Sequence, residues 1–165
     1  VATDLNSLAS LLQATNRLQE AEPLMRRGVE IMEAAYGDTH PNVATALNNL
    51  ASLLQATNRL QEAEPLMRRA LQIDESSYGP HHPEVATDLN SLASLLQATN
   101  RLQEAEPLMR RGVEIFMHFM RVTGHPHPHL EVAINNYGGL LMAMGFTREE
   151  AIAALRELAP ELFGD

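Results

Sequence analysis

In the middle of the chain apolar residues fall at Leu47, Leu50 and Leu54, and then at Leu60, Ala63, Met67 and Leu71. Spacings of three and four predict two amphipathic helices rather than strands. His40-Pro41 introduces the first, because a proline at the first helical position has no amide proton to leave unused. It should stop near Thr57-Asn58, since asparagine tolerates the left-handed conformation that ends many helices. The second is predicted from about Leu60 to Tyr78, with Gly79 as its terminating glycine and Pro65 a mild irregularity near its first turn. Glu64 and Arg68 lie four apart with the acid first, an order that adds about 0.3–0.5 kcal/mol to an exposed helix. Glu22–Arg26 and Glu106–Arg110 repeat the pair, and all three read as a solvated face.

The pattern recurs. LASLLQATNRLQEAEPLMRR occupies Leu8 to Arg27, Leu50 to Arg69 and Leu92 to Arg111, a period of 42 residues. Val1 to Ile31 is identical to Val85 to Ile115, which points to a two-repeat unit duplicated recently. Small residues recur where helices must approach closely: Ala9, Ala51 and Ala93; Ala21, Ala63 and Ala105; and Gly28, Ala70 and Gly112. One helix pair cannot bury both its faces, so successive pairs are expected to stack, with Leu53 and Leu66 reaching the next pair.

Leu47, Leu50-Ala51, Leu54, Asn58, Leu60, Ala63, Met67 and Ala70, with the AEPL, ALQI and YGPHHPEVA stretches, resemble the tetratricopeptide repeat in its 42-residue, kinesin-light-chain-like form. The resemblance implies an all-α, right-handed superhelical solenoid of antiparallel helix pairs. Three near-identical repeats (1–42, 43–84 and 85–126) and a degenerate C-terminal capping repeat (127–165) would form one array over 1–165. Val1 aligns with Val43 and Val85, so the chain is expected to be the C-terminal part of a longer array. In the third repeat Gly124 falls three residues later than the period predicts. In the cap, Asn135-Asn136 matches Asn48-Asn49, Gly138 matches Ala51, Gly145 matches Asn58, and Ala151 and Leu155 stand for Ala63 and Met67.

Each first helix, at about 2–14, 42–56, 84–98 and 132–144, carries a polar stripe. Its members are Thr3, Asn6, Ser10 and Gln13; Thr45, Asn48, Ser52 and Gln55; Thr87, Asn90, Ser94 and Gln97; and Asn135 in the cap. The resemblance implies that these positions line a concave groove holding a peptide segment of a partner. An asparagine amide suits that use, since it both donates to and accepts from peptide groups. Asparagine also costs roughly 0.6 kcal/mol in mid-helix relative to alanine, so its recurrence needs a reason. The alternative reason is a ladder tying neighbouring helices together. Every arginine falls on a second helix or an inter-helix turn, so the groove is expected to be nearly neutral and unsuited to strongly acidic ligands. Gly139 and Met142 make its last section more apolar.

Composition narrows the function further. The 165 residues carry 21 acids against 12 bases, a net charge of −9, which disfavours nucleic acid and anionic membranes. Without cysteine there is no disulfide, thiol catalysis or cysteine–zinc site. No apolar run approaches the ~20 residues of a membrane span and no signal peptide opens the chain, so a cytoplasmic location is expected. His125, His127 and His129 alternate with prolines, an extended run without the helical spacing of metal ligands, and read as a loop. Phe116, Met117, Phe119, Met120 and Val122 are expected to pack against the cap, or else to form a self-association surface. No phosphate loop, nucleophile elbow or zinc-protease motif is present, so neither catalysis nor a cofactor or metal is expected. The reading is a module that binds a protein or peptide. The alternative is a structural spacer or self-associating scaffold segment of a larger signalling protein.

Overall fold

The computed structural model describes Leu11, Leu12, Thr15 and residues 17–162. Every regular element among them is helical: α1 (Leu18–Tyr36), α2 (Pro41–Ala56), α3 (Leu60–Tyr78), α4 (Pro83–Ala98), α5 (Leu102–Thr123), α6 (Leu130–Ala143) and α7 (Arg148–Leu158), closed by a 3-10 turn at Pro160–Leu162. The boundaries follow local punctuation. Pro41 and Pro83 open α2 and α4 after His40 and His82, which cap them in extended conformation. Asn58 and Asn100 take φ of 60° and 58°, turning the chain between the helices of a pair. The Arg59 and Arg101 amides then donate back to Leu54 O and Leu96 O, both at 2.8 Å. Gly37 and Gly79 adopt φ of 85° and 89° beyond α1 and α3. The helices run through Pro23, Pro65 and Pro107, which lie early enough to delete a single hydrogen bond without a break.

The chain divides into two compact units, 1–77 and 78–165. In the first, α1 packs on α2. Ala21, Met25 and Val29 of α1 are buried, as are Val43, Leu47, Leu50, Ala51, Leu53 and Leu54 of α2. Ala63, Met67 and Ala70 of α3 are buried too. Leu66 is half-buried, less than expected of a contact to the next pair.

In the second unit α4 packs on α5, α5 on α6, α6 on α7, and α4 also reaches α6. A methyl group on Gly112 of α5 would stand 3.4 Å from Ala86 O and from Asn90 Nδ2, which measures how closely α4 and α5 approach. The displaced Gly124 has a simple cause. Helix α5 is 22 residues long where α1 and α3 have 19. The added residues are Arg121, Val122 and Thr123, and an apolar face lies just before them: Phe116 and Met117 are buried and Phe119 and Met120 half-buried, whereas Val122 is 71% exposed and takes no part in that packing. Helix α7 opens with a capping box, in which Thr147 Oγ1 accepts from Glu150 N at 3.2 Å and Glu150 Oε2 accepts from Thr147 N at 2.8 Å.

Two of the three anticipated ion pairs form, Glu22–Arg26 at 2.9 Å and Glu64–Arg68 at 2.8 Å. The third is rearranged. Arg110 Nε donates to Glu114 at 3.2 Å, and Glu106 accepts from the Tyr137 hydroxyl at 2.8 Å. Tyr137 is buried on α6, so its hydroxyl needs a partner, and Glu106 is the one within reach.

Candidate functional site

The polar stripe lies on α2, α4 and α6. On α2, Thr45 and Ser52 are exposed and Asn48 and Gln55 half-buried. On α4, Thr87, Asn90, Ser94 and Gln97 are all half-buried. Thr3, Asn6, Ser10 and Gln13 lie outside the described residues.

In the second unit the stripe borders a concave pocket of about 330 Å³ between α4 and α6. Thr87, Asn90, Ser91 and Ser94 form one wall; His129, Val132 and Asn136 form the other. Three expected residues, Thr87, Asn90 and Ser94, therefore come together there. Gln97 lies further along α4 and does not line the pocket. Asn135 is exposed and does not line it either; its neighbour Asn136 does, because successive helical residues point about 100° apart. Ser91, His129, Val132 and Asn136 were not anticipated. The steps 87–91–94 and 129–132–136, each of three or four, were the signal that places them on single faces.

The hydroxyls of this wall share one arrangement. Thr87 donates to Pro83 O at 3.2 Å, Ser91 to Thr87 O at 3.0 Å and Ser94 to Asn90 O at 2.8 Å. Each spends its proton on its own helix, which leaves oxygen lone pairs as acceptors. Thr87 Oγ1 also approaches His129 Nδ1 at 3.4 Å, linking the two walls. The Asn90 amide nitrogen lies towards Gly112 on α5, while its Oδ1 is buried and accepts no hydrogen bond from the described residues. Leaving such an acceptor unused costs about 1–3 kcal/mol.

Charge on these helices has one sign. Helices α2, α4 and α6 carry no arginine, whereas Glu84, the buried Asp88 and Glu131 lie on α4 and α6. Burial, reinforced by neighbouring His129 and opposed by Glu84, pushes the His127 imidazole below its ordinary range. Its ring stacks on Phe116 at 4.6 Å and meets Phe119 edge-on at 5.3 Å. No group of three metal-ligating side chains occurs among the described residues, and no described helix is long and apolar enough to cross a membrane.

Comparison with known proteins bears on the fold. The family model described as tetratricopeptide repeat matches residues 1–76 and 45–117. BtubC (BKLC) from P. vanneervenii is similar in structure, with a TM-score of 0.84 and 21% identity over 99% of this chain; the match spans 65% of that protein's chain. A single-substitution form of a Podosopora anserina kinesin-light-chain-type protein, built of nearly identical TPR-like repeats, gives a TM-score of 0.79. It is 24% identical, over 94% of this chain and 72% of its own. A second structure of that Podosopora anserina protein gives 0.62 at 20% identity, covering 99% and 97%. None of the curated proteins matches the sequence. At these identities the structural likeness establishes the fold.

Proposed function

The chain belongs to the tetratricopeptide repeat family, an interaction fold, and from that premise we propose that it binds a peptide segment of a partner protein along its first helices. The contacting residues would be Thr45, Asn48, Ser52 and Gln55 on α2 and Thr87, Asn90, Ser94 and Gln97 on α4. Thr3, Asn6, Ser10 and Gln13 of the first repeat and Asn135 of the last complete the proposal, to which Asn136 is added. The supporting observation is the α4–α6 pocket, whose wall sets the Thr87, Ser91 and Ser94 hydroxyl oxygens as acceptors beside Asn90. Acceptors of this kind suit the N–H groups of an extended main chain. Since the pocket lining holds neither arginine nor carboxylate, the segment is neutral rather than strongly acidic. The chain acts by binding, without catalysis, metal or cofactor, and its own location is proposed to be cytoplasmic.

The test begins with selection of peptides from a random library on the immobilised chain. Asn90→Ala and Asn48→Ala should each weaken the selected peptide by about 1–3 kcal/mol, because they strip its buried groups of partners. Both should melt no earlier than the wild type, since alanine is the better helix former.

A second reading, the structural spacer, is favoured by the approach of the Asn90 amide to Gly112, which places it at the α4–α5 seam. If Asn90→Ala melts markedly earlier while the peptide still binds, the asparagine ties helices together and the spacer reading stands.

A further inference from the structure

The His-Pro-His-Pro-His run, which the sequence marks as a loop, borders a second cavity in the 78–165 unit. Its volume is about 390 Å³, within the range of clefts that hold small molecules. Pro126, His127 and Pro128 of the run line it, with Leu130, Glu131 and Ile134 of α6 and Leu162 of the closing 3-10 turn. It is separate from the groove pocket. Val132 and Asn136 line that one and Leu130, Glu131 and Ile134 this one, so different sides of α6 are used. Only in this run is a histidine flanked by proline on both sides; His40 follows Thr39, and His82 follows His81. The walls are fixed by contacts of their own. His127 stacks on Phe116 at 4.6 Å, its Nδ1 accepts the His129 amide at 3.2 Å, and its two proline neighbours have φ set by their rings. Leu162 N donates to Ala159 O at 3.1 Å, and the adjoining Glu161 pairs with Arg121 of α5 at 2.6 Å. A cavity whose walls are already ordered loses little freedom when a ligand enters.

The lining is apolar apart from two groups. A ring nitrogen that accepts an N–H carries no proton, so His127 brings no charge. Glu131 does, and no basic side chain among the described residues pairs with it. Proline, leucine and isoleucine surfaces favour an apolar body, whereas a carboxylate on the same cavity attracts a cation and repels an anion. We propose that this cavity binds a small organic cation with an apolar body, of the amine or guanidine class. The hydrocarbon part lies against Pro126, Pro128, Leu130, Ile134 and Leu162, and the charge meets Glu131. Burial of the apolar body supplies the affinity. Glu131 is exposed, so its charge contributes more to the choice of ligand than to the strength of binding. The site makes no use of the polar stripe and stands whether or not the groove holds a peptide.

The probe is tryptamine, an indole carrying an ammonium arm, titrated into the whole chain at neutral pH and followed by amide NMR. Saturable shifts centred on Leu130, Glu131, Ile134 and Leu162 are expected. Indole-3-propionate, the same ring with a carboxylate arm, should bind about tenfold more weakly, because Glu131 repels it. Glu131→Gln should weaken tryptamine by about three- to fivefold, the scale of one exposed ion pair, and narrow its lead over the anion. Leu162→Ser should weaken both probes, since both place the indole on the apolar wall. If Glu131→Gln does not fold, the wild type in 1 M salt serves instead, and tryptamine should again bind more weakly. Equal affinity for the two probes would overturn the proposal. So would tryptamine binding that is indifferent to Glu131→Gln and to salt, the absence of saturable shifts, or shifts centred on Asn90 and Asn136 of the groove.

Discussion

The first unit and the closing region of the second solve one problem, seating a helix pair against the pair before it, with opposite chemistry. In the first unit the seat is charged. Glu22 of α1 lies between Arg26 at 2.9 Å and Arg59 at 2.7 Å, and Arg59 also holds Glu62 at 2.6 Å. About three turns further along, Arg69 pairs with Glu33 at 2.6 Å. These side chains are a fifth or more exposed. In the closing region Phe146 stands in the place of Arg59, and Tyr137 in the place of Leu50. Glu106, the counterpart of Glu22, receives a buried phenol instead of a guanidinium, and Phe116 lies fully buried beneath His127. A charged seat can be copied from repeat to repeat because each exposed pair contributes little and tolerates small shifts. The second seat departs from the repeated sequence, and buried aromatic area does the work there.

The most direct way to break the comparison is to remove the ring stacked on each inter-helix histidine, Phe116 against His127 and Tyr36 against His40. Phe116→Ala empties a fully buried site and should cost about 3–5 kcal/mol in urea unfolding. Tyr36→Ala, at a residue 54% exposed, should cost less than about 1 kcal/mol. Similar losses in the two would mean that the closing seat is no more dependent on burial than the copied one.

The acids give a finer comparison. Glu106→Ala leaves the Tyr137 hydroxyl buried with no acceptor, and about 1–3 kcal/mol should be lost. Burial, with help from the Glu106 hydrogen bond, already pushes the Tyr137 phenol well above its ordinary pKa, so ionisation cannot relieve it at neutral pH. Glu22→Ala removes a carboxylate that the Arg59 hydrogen bond, more than any other partner, holds below the usual range. Because that site is partly solvated, the loss should stay below about 1 kcal/mol and shrink further in 1 M salt. Melting curves of both variants at low and high salt separate the cases. A salt-sensitive Glu106→Ala deficit would show that charge, not burial, holds the closing seat.

How far the sequence disclosed this contrast follows from the range of each signal. Pro41, Asn58 and Gly79 act on their own neighbours, so the ends of α2 and α3 could be read directly. The pair Glu106–Arg110 was inferred from spacing along one helix, a rule blind to Tyr137, 31 residues away in sequence. Thr87, Asn90 and Ser94 could be placed together from helical phase alone. Asn136 could not, because a groove between two helices takes adjoining edges of each, and equivalent positions on the two need not both face it. The three-residue delay at Gly124 was legible as a departure, and the burial of Phe116 from its spacing; that the delay lengthens α5 was not.

The smallest expected effect sharpens the comparison within the helix pairs themselves. Gly112 of α5 and Ala70 of α3 occupy one position of the repeat, and both are buried. A Cβ on Gly112 would stand 3.4 Å from Ala86 O and Asn90 Nδ2, the near edge of ordinary contact. Ala70 already accommodates a methyl group at the equivalent place, with Ala44 and Asn48 where α4 has Ala86 and Asn90. Glycine in mid-helix costs about 0.5–1 kcal/mol relative to alanine through the backbone freedom it loses on folding. Gly112→Ala should therefore stabilise the chain by up to that amount, seen as a small rise in the urea midpoint with an unchanged slope. The outcome depends on whether Asn90 can yield by a few tenths of an ångström. If the variant is instead less stable, the asparagine is held at the α4–α5 seam more firmly than Asn48 is in its own repeat. The duplicated sequence would then carry two different seams, and Asn90 would owe its place to packing before binding.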